Sequence, residues 1–220
     1  MWETILFDLD GTLTDPKQGI TTAVSEALSH FGIHEDPDNL TQFIGPPLGD
    51  AFQEYYGLTP AQAEEAIGHF RVYFDRQGWR ENIPYPGIAD LLAALQRAGR
   101  RLIVATSKPE LFASRIMEHF DLSQYFTLIC GAPMHNQAGA KKAAVIADAL
   151  RRAGIAADAS VVMVGDRRHD IEGAHQVGLP AIGVLYGYGS REEHEHCGAD
   201  YLAEDLCALR ALLIPSTKND

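Results

Sequence analysis

The stretch ILFDLDGTLTD, residues 5–15, decides how the rest of the chain is interpreted. An apolar run predicts a strand over residues 4–8, and two acids, Asp8 and Asp10, stand where that strand should end. Carboxylates at the end of a strand either form a turn or take part in chemistry. The remainder of the sequence has to distinguish these two interpretations.

Length and composition are those of an ordinary globular protein. The chain has 220 residues, 46% hydrophobic and 22% charged, enough for one large α/β domain or for a core with a smaller accessory domain. No apolar stretch approaches the roughly 18–20 residues that span a bilayer. The N-terminus enters the first strand without a basic segment and an apolar signal core. We therefore expect a cytoplasmic protein that does not bind membranes.

Charge and cysteine content narrow the possible partners. The formal net charge of −12 would repel a nucleic-acid backbone, so we expect no nucleic-acid polymer as a partner and local cations around any phosphate ligand. Cys130, Cys197 and Cys207 are far apart and form no CxxC pair, which argues against a disulfide framework or a zinc site. Each cysteine is expected to be a small buried or half-buried side chain.

Five short apolar runs predict the strands of one sheet, at residues 4–8, 101–106, 126–130, 160–165 and 181–185. They are continuous rather than alternating, as in strands that are covered on both faces. Helical segments separate most of them. Strands that alternate with amphipathic helices predict an α/β fold with a three-layer, Rossmann-like core and a parallel sheet.

Residues 15–84 interrupt this alternation, because about seventy residues separate the first two apolar runs. The interval is predicted to be helical throughout, most clearly at 19–32 and at 59–78, where Thr59 is a candidate N-cap. Such an interval is too long for a loop. We predict a small all-α cap domain inserted over residues 15–84, and a core domain formed by residues 1–14 and 85–220.

Polar side chains follow three of the predicted strands. They are Asp8 and Asp10, then Thr106, Ser107 and Lys108, and finally Asp166 and Asp170. Any one of these groups could simply cap a helix or form a turn. The carboxyl ends of parallel strands open onto one edge of the sheet, where ligands bind near the point at which strand order reverses. Their joint occurrence therefore predicts a single crevice.

Four stretches resemble, in order and separation, the four motifs of the haloacid dehalogenase (HAD) superfamily. They are DLDGTLTD (8–15), ATSK (105–108), KKAAVI (141–146) and VGDRRHD (164–170). The resemblance extends over nearly the whole core, from residue 4 to about 190. The insert directly after the first motif, with YPGI (85–88) and GVLYGYGS (183–190), is similar to the phosphoglycolate phosphatase-like branch.

The resemblance implies a phosphatase that hydrolyses small phosphate monoesters with Mg²⁺ through an aspartyl-phosphate. Nearby carboxylates would repel a phosphate dianion, and Mg²⁺, which prefers oxygen ligands, removes this repulsion. The metal ligands implied by the family are Asp8, Asp166 and the backbone carbonyl of Asp10. Asp170 is expected to orient the lysine and the metal waters, with direct contact to the metal as the alternative.

Asp8 is the expected nucleophile, and Asp10 the expected acid and base. Charge on the transferring phosphoryl group requires positioned donors, which we expect from Thr106, Lys142 and the backbone amides of Leu9 and Ser107. Lys142 is preferred to its neighbour Lys141 because family members place their lysine three positions before a Val-Ile pair. Lys108 is a competing candidate.

Two further segments are open to interpretation. FIGPPLG (43–49) could face the leaving group from an insert that closes as a lid, although an ordinary turn between helices has the same composition. His194 and His196 are predicted to lie on different faces of a solvated helix, with Ser190 and Glu193 as its capping box.

Several functions remain open at this point. A 5′-nucleotidase is the near rival, because family members with the LYGYGS stretch include both activities. A phosphomutase would need a lid that excludes water between half-reactions, and a binding protein on an inactive fold is the non-enzymatic alternative. Dehalogenation is disfavoured because the family's dehalogenases lack an acid at the position of Asp10. A monomer or a homodimer is expected.

Overall fold

The computed structural model describes residues 2–134 and 141–214. Within them, six strands form one parallel sheet in the order β5–β4–β1–β6–β7–β8. The strands are β1 (Thr4–Phe7), β4 (Arg101–Pro109), β5 (Leu128–Ala132), β6 (Val161–Gly165), β7 (Ala181–Val184) and β8 (Tyr201–Ala203). The predicted α/β fold class is confirmed. Five strands agree with the five apolar runs, whereas β8 was not predicted because only Ala203 of its three residues is buried.

Helices cover both faces of the sheet. They are α4 (Ile88–Arg97), α5 (Glu110–His119), α6 (Lys142–Ala153), α7 (Arg168–Gln176), α8 (Arg191–His196) and α9 (Leu206–Leu213). Alternate residues of β1 enter opposite layers, because Ile5 and Phe7 join one buried cluster and Leu6 joins the other. Among the described residues, no helix combines the length and the apolar character needed to cross a bilayer.

The cysteines only partly follow the expectation. Cys130 is buried and Cys197 is half-buried, but Cys207 is exposed, so the prediction was wrong at that position. Cys207 lies in the first turn of α9, a helix that buries Leu209 and Leu213 and turns this residue towards solvent. All three thiols are free.

A separate hydrophobic cluster is formed mainly by residues 20–74, with Phe112 of α5 as a further buried member. A two-stranded antiparallel pair, β2 (Thr14–Asp15) and β3 (Ile83–Pro84), marks both ends of the insert. Between these strands lie α1 (Lys17–Ser29), α2 (Leu48–Tyr56) and α3 (Pro60–Arg76). Thr59 caps α3, as predicted, in a capping box with Gln62. At the junction, the Thr14 hydroxyl donates to Oδ1 of the buried Asn82 over 3.0 Å.

Two glycines within helices of the insert offer a matched test of its packing. A Cβ on Gly19 of α1 would lie 2.1 Å from the carbonyl oxygen of Gly78, whereas a Cβ on Gly68 of α3 would meet no atom within 4 Å. We expect Gly19→Ala to destabilise the protein by about 1–3 kcal/mol through overpacking. Gly68→Ala should stabilise it by about 0.5–1 kcal/mol because a helical glycine is replaced. Urea denaturation measures both, and equal effects would contradict this packing.

Candidate active site

The central position of β1 brings the predicted residues together. Phe7 pairs with Val104 of β4 on one side and with Val164 of β6 on the other. The Asp8 N–H donates to the Val164 carbonyl over 2.9 Å, so Asp8 lies beside the end of β6, where Asp166 follows. The strand order reverses around β1, which is where open α/β sheets bind ligands.

The turn after β1 depends on a glycine. Gly11 has φ +80°, and its N–H donates to the Thr14 carbonyl over 2.8 Å. The Leu9 carbonyl accepts the N–H groups of Leu13 and Thr14 at 2.9 and 3.0 Å. A Cβ on Gly11 would lie 2.1 Å from Oδ2 of Asp166. Glycine is required here both for the positive φ and for the close approach to Asp166.

Three buried carboxylates form the centre of the site. Asp8, Asp166 and Asp170 are each at most 5% exposed and offer oxygen atoms within 4.8 Å of one another. Oδ2 of Asp166 accepts the Tyr188 N–H at 2.8 Å, and Oδ1 has no hydrogen-bond partner among the described residues. Burial, reinforced by Asp170 and Asp8, raises the pKa of Asp166 well above its ordinary value. An oxygen-only set with an unpaired buried oxygen fits a hard divalent cation such as Mg²⁺.

Lys142, the first residue of α6, joins two of these carboxylates. Its Nζ lies 2.7 Å from Oδ1 of Asp8 and 2.7 Å from Oδ1 of Asp170, and it donates to the Ala105 carbonyl at 3.2 Å. Burial disfavours the ammonium, but the two carboxylates prevail and raise the pKa of Lys142. Lys141 is exposed. Of the two adjacent lysines, Lys142 therefore contacts the cluster.

Asp170 is held from two directions. Oδ2 accepts the Arg167 N–H at the start of α7 over 3.0 Å, while Oδ1 faces Lys142. A Cβ on Gly165 would lie 2.2 Å from the carboxyl carbon of Asp170, so this glycine makes room for the side chain. Burial raises the pKa of Asp170 to about 6, against the opposing effect of Lys142. Both oxygens are engaged, which suits the orienting role expected for Asp170.

Asp10 is paired with a different lysine. Its Oδ2 lies 2.6 Å from Nζ of Lys108, and its buried Oδ1 has no hydrogen-bond partner among the described residues. Burial raises the pKa of Asp10, and Lys108 offsets this only in part. The buried Thr106 accepts the Lys108 N–H at 3.2 Å. The pairing of β4 with β5 shifts register between Thr106 and Pro109, and Ser107 borders the adjoining cavity.

A cavity of about 190 Å³ separates this edge of the sheet from the insert. Asp10, Ser107 and Lys108 border it on the core side, and most of the remaining lining is apolar. Five large side chains contribute to that lining: Phe43, Phe70, Phe74, Phe112 and Met134. The stretch 43–49 borders the same cavity through Phe43 and residues 45–49.

The loop after β7 is a part of the site that the sequence did not identify. A Cβ on Gly187 would lie 2.3 Å from the Gly11 carbonyl oxygen and 2.4 Å from Cβ of Asp166. Besides the bond from the Tyr188 N–H to Asp166, the Tyr188 hydroxyl donates to Oδ1 of Asp15. The two glycines of GYG, directly after a predicted strand, were the available signal of a close approach.

The prediction of a solvated helix was wrong for His194. This residue is fully buried, and Gly183 and Gly189 leave room for its ring, since their Cβ atoms would lie 2.6 and 3.0 Å from it. His196 is exposed, as expected. The reason is that the His194 ring lies against Gly183 of β7 and Gly189, which the alternation of two histidines could not reveal.

Of the two hydrogen bonds of the predicted capping box of α8, only the one accepted by Ser190 is formed. Ser190 Oγ accepts the Glu193 N–H at 3.0 Å. Glu193 does not reciprocate, because its Oε1 accepts from Nε of Arg167 at 3.1 Å and from the Arg168 N–H at 2.7 Å. Arg167 also donates to the Ile44 carbonyl of the insert at 2.7 Å. Glu193 therefore supports a link between core and insert.

Known proteins share these motifs and this fold. A family model described as haloacid dehalogenase-like hydrolase matches residues 5–184. A crystal structure of a predicted phosphatase from Clostridium acetobutylicum superposes with a TM-score of 0.94 at 42% identity, over 97% of this chain and 98% of that chain. The matches confirm the resemblance that the four motifs predicted.

Relatives of this chain differ in their activities. A 5′-nucleotidase of Pseudomonas aeruginosa is 44% identical over 95% of this chain and 94% of that protein. The tyrosine-protein kinase PtkA of Mycobacterium tuberculosis is 42% identical over 84% of this chain, but only 62% of PtkA is covered. A phosphoglycolate phosphatase of Cupriavidus necator is 34% identical over 96% of this chain and 93% of that protein.

Asp166→Asn should raise the melting temperature of the metal-free protein. The amide keeps an oxygen for the Tyr188 N–H and removes a buried charge. Because the pKa of Asp166 is raised in the folded state, the ionised carboxylate destabilises the native protein above that pKa. This penalty disappears as the pH falls below the ordinary pKa of an aspartate, where the carboxyl is protonated in both the folded and the unfolded protein. The gain, measured by thermal denaturation in EDTA, should therefore be larger at about pH 8 than at about pH 5.

The exposed Asp50 provides the control, since Asp50→Asn should change the stability by no more than about 0.5 kcal/mol. Mg²⁺ should raise the melting temperature of the wild type and leave that of Asp166→Asn unchanged. A lower melting temperature for Asp166→Asn in EDTA at alkaline pH would contradict the unfavourable charge.

Proposed function

Because the chain belongs to the haloacid dehalogenase-like hydrolase family and is a phosphatase, we propose that it hydrolyses small phosphate monoesters with Mg²⁺ through an aspartyl-phosphate on Asp8. The observation that carries this proposal is the buried cluster in which Lys142 joins Asp8 to Asp170 and Asp166 lies alongside. Four ionisable side chains are rarely buried together without a functional reason.

Mg²⁺ would be held by Asp8, Asp166 and the backbone carbonyl of Asp10. The bound ion would supply positive charge that offsets the carboxylates and polarises the phosphoryl group. The unpaired Oδ1 of Asp166 and the raised pKa of this residue support the assignment. Asp170 would hold Lys142 in place.

In the first step, a carboxylate oxygen of Asp8 attacks phosphorus. The new O–P bond forms while the bond from phosphorus to the leaving oxygen breaks, and protonated Asp10 gives its proton to that oxygen. Lys142 stands beside Asp8, where it can also donate to a phosphoryl oxygen. The Thr106 hydroxyl and the N–H groups of Leu9 and Ser107 would bind the remaining charge.

In the second step, a water oxygen attacks the phosphorus of the aspartyl-phosphate. The bond between phosphorus and the Asp8 oxygen breaks, and the Asp10 carboxylate takes a proton from the water. The products are inorganic phosphate, the free Asp8 carboxylate and a protonated Asp10 that is ready for the next substrate.

Residues 15–84 act as a cap domain over a core of residues 1–14 and 85–220. Arg71 of α3 donates to the Met134 carbonyl at 2.9 Å, and Arg167 of the core donates to the Ile44 carbonyl at 2.7 Å. Both contacts join the insert to the core and would break and form as the cap moves. Closure would exclude bulk water while the phosphoryl group is transferred. Three free thiols suit a cytoplasmic protein.

Hydrolysis of p-nitrophenyl phosphate should require Mg²⁺ and stop with EDTA. Asp8→Asn should abolish turnover, because an amide cannot form the covalent intermediate, while Asp50→Asn should retain the activity of the wild type. Digestion of rapidly quenched enzyme, followed by mass spectrometry, should find a phosphate adduct on the peptide that contains Asp8.

Three other outcomes would each indicate a different function or mechanism. An adduct that is transferred to a second phosphorylated sugar rather than to water would indicate a phosphomutase. A protein that binds Mg²⁺ but hydrolyses no ester would indicate a binding protein on an inactive fold. Turnover that survives Asp8→Asn would overturn the covalent mechanism.

A 5′-nucleotidase is the second candidate, and the lining of the cavity favours it. Phe43, Phe70, Phe74 and Phe112 present an aromatic surface near Asp10, which suits a leaving group with a flat apolar face. The relative at 44% identity carries this name. The Lys108 ammonium beside the cavity is already paired with Asp10 and is less available to a carboxylate such as that of phosphoglycolate.

A panel of phosphorylated metabolites with released-phosphate detection should give a higher kcat/KM for nucleoside 5′-monophosphates than for phosphoglycolate. Phe70→Leu should reduce that preference by about two- to tenfold, since it removes an aromatic contact worth roughly 0.5–1.5 kcal/mol beyond its buried area. A preference for phosphoglycolate would exclude the nucleotidase assignment and leave the phosphatase mechanism intact.

A further inference from the structure

Lys108 is a buried cation that the mechanism above does not use. Its side chain is 6% exposed and that of its partner Asp10 is 10% exposed, with 2.6 Å between Nζ and Oδ2. The ammonium also lies 4.7 Å from the centre of the Phe74 ring, which belongs to α3 of the insert. The Lys108 N–H donates to the Thr106 hydroxyl. Two contacts thus restrain the side chain, and a third holds the backbone from which it extends.

The two buried lysines of the site serve different carboxylates. Lys142 contacts Asp8, Asp170 and the Ala105 carbonyl, whereas Lys108 contacts Asp10. A buried ion pair is maintained only when its geometry is good, because both charges have been removed from water. The second pair therefore fixes where the Asp10 carboxylate points, at the border of the cavity that receives the leaving group.

We propose that Lys108 is a positioning residue, which holds the Asp10 carboxylate at the cavity and couples that position to the insert through Phe74. The inference rests on the proposed role of Asp10 as acid and base. It predicts that Lys108 acts on proton transfer to the leaving group and from water, and does not hold the phosphoryl group itself. The Lys108 ammonium over the Phe74 ring links the insert to Asp10 indirectly, through Lys108.

Two substrates separate positioning from phosphate binding. The p-nitrophenolate leaving group departs without a proton, whereas an alkoxide needs one from Asp10. For this mechanism kcat/KM reports the steps up to formation of the aspartyl-phosphate, and kcat also includes its hydrolysis. Loss of a phosphate ligand lowers kcat/KM for both esters, but a misplaced Asp10 lowers it only for the alkyl ester.

Lys108→Met keeps the length of the side chain and removes its charge. For an alkyl phosphate that the wild type hydrolyses, kcat/KM should fall by about tenfold or more. For p-nitrophenyl phosphate, kcat and KM should fall together, and kcat/KM should stay within about twofold. Lys108→Arg should recover part of the alkyl-ester activity because it restores a cation beside Asp10.

A double-mutant cycle tests whether the effect passes through Asp10. In an Asp10→Asn background, Lys108→Met should cause no further loss beyond about twofold. Phe74→Leu should also lower kcat/KM for the alkyl ester and not for p-nitrophenyl phosphate, but by a smaller factor than Lys108→Met. Lys17→Met, which removes an exposed lysine from its pair with Asp38 on the insert, should match the wild type.

The possible failures are distinguishable. If the wild type hydrolyses neither ester, the proposed function is wrong. If the wild type is active and Lys108→Met lowers kcat/KM equally for both esters, or has no effect, the positioning role is overturned. The Asp10→Asn/Lys108→Met variant carries neither buried charge, so its thermal melting distinguishes a folding defect of Lys108→Met from a kinetic one.

Discussion

Repulsion among buried carboxylates is the constraint on which the rest of this structure depends. Asp8, Asp10, Asp166 and Asp170 are all at most 8% exposed at one edge of a parallel sheet. Two lysines offset part of this charge, Lys142 for Asp8 and Asp170 and Lys108 for Asp10. Within residues 2–134 and 141–214, no lysine pairs with Asp166, and burial together with Asp170 and Asp8 raises the pKa of its carboxyl. A divalent cation would complete the balance, and the same charge would then attract a phosphate ester.

Close packing of the backbone makes this arrangement possible. Cβ atoms on Gly11, Gly165 or Gly187 would each come within 2.1–2.3 Å of an atom of the site, so side chains are excluded from all three positions. Gly11 and Gly187 belong to the loops after β1 and β7, and Gly165 ends β6, so close packing at the ends of three different strands lets distant segments converge. The tight fit also restrains the carboxylates, whose preorganised positions are what electrostatic catalysis requires.

The insert supplies most of the apolar lining of the cavity, whereas the sheet edge supplies Asp10, Ser107 and Lys108. The hydrophobic cluster that holds the insert together includes Phe43, Phe70 and Phe74, which also line the cavity, so the packing of the insert and the lining of the cavity depend on the same residues. Arg167 links the insert to the carboxylate cluster. It follows Asp166 in the chain, and its side chain donates both to Glu193 and to the Ile44 carbonyl of the insert. A shift of the insert would therefore displace the Arg167 side chain, next to Asp166 of the carboxylate cluster.

The sequence by itself determined the fold class, five strands, the presence of helices within residues 15–84 and the convergence of Asp8, Asp166 and Asp170, because these depend on hydrophobic periodicity and on spacing along the chain. The family resemblance favoured Lys142 over Lys141, with Lys108 as a competitor, and the structure places Lys142 against Asp8 and Asp170. Only the tertiary structure decided that Lys108 pairs with Asp10, that His194 is buried and that the loop with Gly187 and Tyr188 closes the site. The reason is physical. Lys108 meets Asp10 across 98 positions of the chain, and Tyr188 meets Asp15 across 173. The burial of His194 depends on the room that Gly183 and Gly189 leave, and local sequence patterns encode neither such long-range contacts nor the space left by a missing Cβ.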